Sequence, residues 1–193
     1  AISKSNNKYQ DIFTNSMSVS HFTPRNLLAE FIGTAFLIIA AVGSIVLANQ
    51  VWEADVSITV FINAIAVGFI LFALIEAFGP VSGAHLNPAV TMALLSSKEV
   101  SSKKALAYIT AQVSGAMVGV LTVNAMFFDT TQTLFMVSST DKLTAATFLS
   151  EMVCTFLLVA VIYGCVRGGS DKTSLAVGLV VGGMIIATSS TMY

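Results

Sequence analysis

Residues 82–91 read Ser-Gly-Ala-His-Leu-Asn-Pro-Ala-Val-Thr (SGAHLNPAVT), directly after a long apolar run. A His, an Asn and a Pro here need a reason. Pro88 loses nothing at the first position of a helix, where its missing N–H has no partner anyway. Asn87 just before it can cap that helix through its side-chain oxygen. The stretch therefore predicts a short helix from about Pro88 to Leu95, too short to cross a bilayer, which takes about 20 residues. Backbone that is not helical at membrane depth is tolerated only where protein buries it or where it lines a wet cavity. Gly83 to Leu86, if extended, would present a row of carbonyls, with Gly83, Ala84 and His85 facing a pore. The Asn87 amide would donate there, beside the positive end of the half-helix dipole.

The rest of the chain supports a membrane setting. Of 193 residues, 55% are hydrophobic and only 10% are charged, against about 25% charged in a soluble domain. Net charge is −1, so no basic surface offers itself to nucleic acid. Cys154 and Cys165 lie in one apolar run. Eleven residues along a helix span about 16 Å, too far for a disulfide, so both read as small buried apolar residues. No Ser/His/Asp set, phosphate-binding glycine loop or metal-ligand spacing is present. The sequence predicts neither an enzyme nor a cofactor or metal site.

Five stretches are long enough to span: about 27–48, 57–78, 104–127, 143–166 and 173–191. Residues 1–24 form a polar segment without the apolar core of a signal peptide. If the N-terminus is cytoplasmic, the inside segments hold Lys4, Lys8, Arg25, Lys98, Lys103, Lys104, Arg167 and Lys172. The outside holds only Lys142. That bias follows the positive-inside rule and places the 79–103 loop on the cytoplasmic side.

Two helix openings match: Ala29-Glu30-Phe31-Ile32-Gly33-Thr34 and Ser150-Glu151-Met152-Val153-Cys154-Thr155. Two spans and the half-helix lie between them, so the second copy enters the membrane from the opposite side, as in an inverted repeat. The first repeat would cover about 25–128, and the second would begin near 143 within a channel domain of 25–193. Glu30 to Glu151 is an offset of 121. Carried from Asn87, that offset puts a second key Asn near position 208. The sequence is thus expected to be an incomplete second repeat of a longer natural protein.

With these residues in hand, the chain resembles the aquaporins, the major intrinsic proteins. The Asn87-Pro88-Ala89 triplet within SGAHLNPAVT and the Ala-Glu-x-x-Gly-Thr opening carry the resemblance, which covers residues 25–193. It implies an all-α membrane fold, an inverted repeat of spans with a re-entrant half-helix. Five spans and one half-helix would fall within 1–193. It also implies a passive channel for water and small uncharged solutes that excludes protons and ions, built as a homotetramer in the plasma membrane.

Within that family Glu30 and Glu151 would support the two re-entrant loops by accepting backbone N–H groups. His85 has two readings: a pore-facing group that titrates near neutral pH, or a donor that fixes the loop while its carbonyl faces the pore. The family pattern favours the second. Intramembrane acids are functional candidates by default, so a coupled transporter using Glu30, Glu76 or Glu151 is the rival class. A non-conducting membrane protein is the third. Glu76 has no repeat counterpart and reads as a solvated helix-end residue. Gly115 with Gly119, and Gly178 with Gly182, read as helix-packing pairs.

The resemblance also implies a selectivity filter with Val67 and Ile185 as two of its four contributors. Water-selective members carry a bulky Phe and a His there. Smaller apolar residues predict a wider, greasier constriction, open to glycerol, urea, ammonia or neutral metalloid hydroxides.

Overall fold

The computed structural model describes residues 22–132 and 144–192. Most of the polar 1–24 segment, with Lys4, Lys8 and also Lys142, lies outside them. The described residues are all helical apart from their connections. The first helix, α1 (Pro24–Val46), continues as a π-helical turn over Leu47–Val51. Then come α2 (Val56–Ser82), the short α3 (Pro88–Ser96), α4 (Ser102–Met126), a single turn α5 (Phe128–Thr131), α6 (Ala145–Arg167) and α7 (Thr173–Met192). Four of them (α1 with its π turn, α2, α4 and α6) are long and apolar enough to cross a bilayer. The fifth expected span is α7, and the expected half-helix is α3.

Local chemistry explains the ends. Thr23 caps α1 through a reciprocal pair with Asn26, and Thr144 caps α6 in the same way with Thr147. The two caps lie 121 residues apart, the same offset as Glu30 and Glu151, and both helices have 23 residues. The repeat is therefore longer than the Glu-x-x-x-Thr match that first suggested it. Asp55 and Ser101 cap α2 and α4 by accepting from Ile58 N and Lys104 N.

One boundary differs from expectation. The second span runs past position 78 to Ser82, with Pro80 inside it. A proline removes one donor and is costly in mid-helix, but here it stands in the last turn. Gly83, at φ 92°, then closes the helix with its N–H on the Gly79 carbonyl at 2.9 Å.

Packing is led by close backbone approach. α1 lies against α2 and α4, α2 against α7, and α7 against α6. A Cβ added at Gly115 would sit 2.2 Å from the Phe31 carbonyl oxygen, and one at Gly119 would sit 2.7 Å from that of Ala35. On the other side, a Cβ at Gly178 would meet the Gly68 oxygen at 2.6 Å and one at Gly182 the Ala64 oxygen at 2.9 Å. Small residues that let helices touch backbone to backbone are the usual interface of membrane helices. Large apolar side chains such as Phe36, Phe69 and Phe156 point outward, which suits lipid rather than water.

Gly115→Ala should therefore destabilise the protein by about 3 kcal/mol, since a backbone carbonyl cannot step aside. Gly164→Ala, whose Cβ would meet nothing within 4 Å, should be neutral or gain up to about 1 kcal/mol of helix propensity. Thermal unfolding in detergent compares them; equal effects would contradict the packing account.

Candidate functional site: the re-entrant loop and its anchor

The loop between α2 and α3 is Gly83–Asn87. It is not a plain extended run. Gly83, Ala84 and Leu86 all have positive φ (92°, 47° and 50°). Glycine takes such angles freely, but Ala and Leu do so at a cost of order 1–3 kcal/mol each. Something must hold them, and the structure shows what does.

Glu30, fully buried on α1, accepts four hydrogen bonds. Its Oε1 takes the Ser82 hydroxyl at 2.6 Å and the His85 backbone N–H at 3.0 Å. Its Oε2 takes the Leu86 backbone N–H at 2.8 Å and the Gln112 side-chain amide at 2.8 Å. Four donors converge on two oxygens, which leaves no acceptor for a carboxyl proton. Charge-assisted bonds of this kind are short and roughly twice as strong as neutral ones. Two of the four donors are backbone N–H groups of the loop itself. Glu151, by contrast, is exposed on α6 and makes no hydrogen bond or ion pair among the described residues.

Further bonds close the loop. Ser82 Oγ also accepts from Ala84 N at 3.0 Å. Thr34 Oγ1 donates to the Leu86 carbonyl at 3.4 Å, and the Asn26 amide donates to the Val81 carbonyl. Tyr108 Oη donates to the Ser82 carbonyl at 2.8 Å. Gly33 leaves room for Leu86: a Cβ there would come 2.5 Å from a Leu86 methyl.

His85 is buried, and its ring stands edge-on to Tyr108 with centroids 4.9 Å apart. Its Nδ1 lies 3.1 Å from Thr91 Oγ1. Thr91 Oγ1 accepts from Gln112 Nε2 at 3.0 Å and donates to the Asn87 carbonyl at 3.1 Å. The contact between Thr91 Oγ1 and His85 Nδ1 ties the His85 ring to the first turn of α3.

Asn87 has extended backbone and caps α3, its Oδ1 accepting from Ala89 N at 2.8 Å. Its Nδ2 has no hydrogen-bond partner among the described residues, and the residue is half-buried. Pro88 takes the first helical position.

The far end of α3 is held by the second repeat, which sequence reasoning missed. Tyr163 Oη of α6 donates to Ser97 Oγ at 2.7 Å, and the Arg167 guanidinium lies over the Tyr163 ring and 3.7 Å from Glu99. Glu76, exposed as expected of a helix-end residue, accepts a hydrogen bond from Ser174 in the first turn of α7. An acid there also suits the helix dipole. Gln112 and Tyr108 were missed as well; a polar residue in an apolar span was the available signal. Val67 is buried beside Gly68, and Ile185 is half-buried one turn past Gly182. Both flank the α2–α7 crossing. Cys154 and Cys165 are unbridged.

Comparison with known proteins agrees with this geometry. The family model for the major intrinsic protein matches residues 16–192. The chain is 36% identical over 169 residues to "Aquaglyceroporin AqpS" of Rhizobium meliloti, covering 88% of this chain and 71% of that protein. It is 32% identical over 162 residues to "Probable aquaporin NIP4-2" of Arabidopsis thaliana, covering 84% of this chain but 56% of that one. Among solved structures, the aquaglyceroporin from Plasmodium falciparum superposes with a TM-score of 0.68 at 27% identity. That match covers 84% of this chain and 70% of the other.

Glu30→Gln puts an NH2 donor among four donors and removes the charge. The expected cost is roughly 3 kcal/mol, with faster hydrogen exchange at the His85 and Leu86 amides. Glu151→Gln should leave those two amides unchanged. Unaltered protection in the Glu30 variant would refute the anchor.

Proposed function

Because the chain belongs to the major intrinsic protein family, we propose that its protein is a passive membrane channel for water and small uncharged solutes, glycerol among them. The observation that carries this is Asn87. Its Oδ1 is spent on the helix cap while its Nδ2 is without a protein partner, at the positive end of a half-helix. Such a donor suits an oxygen-bearing neutral solute and disfavours a cation. Asn87, Pro88 and Ala89 form the pore motif, and the carbonyls of Gly83, Ala84 and His85 form the acceptor row beside it.

In this reading Glu30 and Glu151 are the loop-supporting acids of the two repeats, which span about 25–128 and onward from about 143. Val67 and Ile185 contribute to the selectivity filter, and their modest apolar side chains support passage of solutes larger than water. The coupled-transporter reading loses its main support, since Glu30 is saturated by structural donors and Glu76 ties two helices together. The protein resides in the plasma membrane as a homotetramer with a cytoplasmic N-terminus.

Stopped-flow light scattering on proteoliposomes tests the reading. Wild type should pass water and glycerol well above empty liposomes, without regard to pH gradient or membrane potential, and Asn87→Asp should lower both severalfold. The double substitution Val67→Phe with Ile185→His should cut glycerol flux much more than water flux. Flux no greater than that of empty liposomes ends the channel reading. An unchanged glycerol-to-water ratio in the double variant ends the filter assignment alone.

A further inference from the structure

α2 ends where the re-entrant loop begins, and that end is held from outside. A helix leaves its last four carbonyls without partners of its own. In α2 the Gly79 carbonyl takes the Gly83 N–H at 2.9 Å. The Ser82 carbonyl takes Tyr108 Oη of α4 at 2.8 Å, and the Val81 carbonyl takes the side-chain amide of Asn26 on α1. Polar backbone left bare at this depth is costly, so these two side chains favour a helix that stops at Ser82.

Asn26 is engaged at both ends of its amide. Its Oδ1 accepts from Thr23 N at 2.7 Å and from Thr23 Oγ1 at 2.6 Å. A backbone N–H can only donate and a carbonyl can only accept, so Oδ1 faces Thr23 and Nδ2 faces Val81. The cap of α1 thus orients the amide that reaches α2. Capping alone does not call for that second contact. Thr147, at the matching position of α6, forms the same reciprocal cap with Thr144 and carries no amide. Asn26 also completes a pattern. Asn26, Glu30 and Thr34 stand four residues apart on one face of α1. They meet the segment in chain order: Asn26 at the Val81 carbonyl, Glu30 at Ser82, His85 and Leu86, Thr34 at the Leu86 carbonyl.

We propose that Asn26 is a positioning residue of the re-entrant loop. It latches the end of α2 to the start of α1 and so fixes the point at which Gly83 turns the chain out of the helix. It touches no solute. Glu30 holds the amides of the loop, and Asn26 sets the root from which they are presented. The permeation part of this proposal rests on the channel reading; the latch does not.

Asn26→Asp separates the latch from the cap, because the two roles predict opposite signs. The carboxylate keeps the acceptor for Thr23 and suits the first turn of a helix, so a residue that only caps would be unharmed. The amide donor to Val81 is lost. Hydrogen exchange on the full-length protein in detergent should show the Gly83 and Ala84 amides exchanging about three- to tenfold faster, the worth of one hydrogen bond. The Leu27 amide, bonded to the Thr23 carbonyl in the capped turn, should be unchanged or slower. Water flux into proteoliposomes should fall severalfold. Asn26→Thr, uncharged and able to cap, should give the same losses at Gly83 and Ala84. Asn26→Gln keeps the donor and suits the same cap position; it should recover more than half of the protection and the flux. Wild-type protection at Gly83 and Ala84 in the Asp and Thr variants would overturn the proposal. So would an equal loss at Leu27, full flux in the Asp variant, or a Gln variant no better than Thr. Absence of flux in the wild type would remove the channel reading and leave the exchange comparison to decide the latch.

Discussion

The arrangement depends on one carboxylate. Glu30 gathers Ser82, His85, Leu86 and Gln112 at once. Without it, two backbone N–H groups at membrane depth would be buried unpaired, and two non-glycine residues would hold left-handed angles without compensation. The bonds also join four elements: α1 carries the acid, α2 carries Ser82, the α2–α3 loop carries two amides and α4 carries Gln112. A re-entrant loop can exist only if protein replaces the water that its backbone would otherwise bind. Here one charged side chain does most of that replacing.

The anchor works because the helices around it cannot drift. Gly115 and Gly119 bring α4 onto the backbone of α1 near Glu30 itself, at Phe31 and Ala35. Gln112 lies one turn before Gly115, so the same contact sets its reach to the acid. The half-helix is gripped at both ends: its start by Thr91, Gln112 and His85, its end by Tyr163 and Arg167 from the second repeat. Its dipole is therefore aimed by side chains from both halves of the chain.

Much of this was legible in the sequence, and what was not has physical causes. Length and apolarity gave the spans, because the bilayer imposes both. Asn87–Pro88 announced the half-helix, because capping is a local effect between neighbours. The pairing of Glu30 with its loop was inferred from a resemblance, since the partners are 52 to 82 residues apart and no local rule joins them. The twisted path of Ala84 and Leu86 was hidden for the same reason: their angles are imposed by a distant carboxylate against their own preferences. The second span reaches Ser82, past the expected 78, because a proline costs little in a final turn that Gly83 then closes. Glu76 read only as a solvated helix end because its partner, Ser174, lies on another helix. Lys104 looked like an ordinary inside-facing charge, and only burial distinguishes it from Lys103.

In the proposed channel reading, the α2–α7 crossing is where the filter residues Val67 and Ile185 stand. Gly68, Gly178 and Gly182 place backbone against backbone there, with Ala64 completing the contact. Helices packed on side chains can shift by an ångström as those side chains repack; helices in backbone contact have no such play. Val67 and Ile185 stand beside these contact points on a spacing that they cannot alter. In the proposed reading, a change in the volume of either side chain would be expressed in the width of the filter and not absorbed by helix movement. A filter built as proposed on this crossing would be retuned by one or two substitutions while the fold that carries it stays fixed. Relatives bearing both water-channel and glycerol-channel names are what such a scaffold allows.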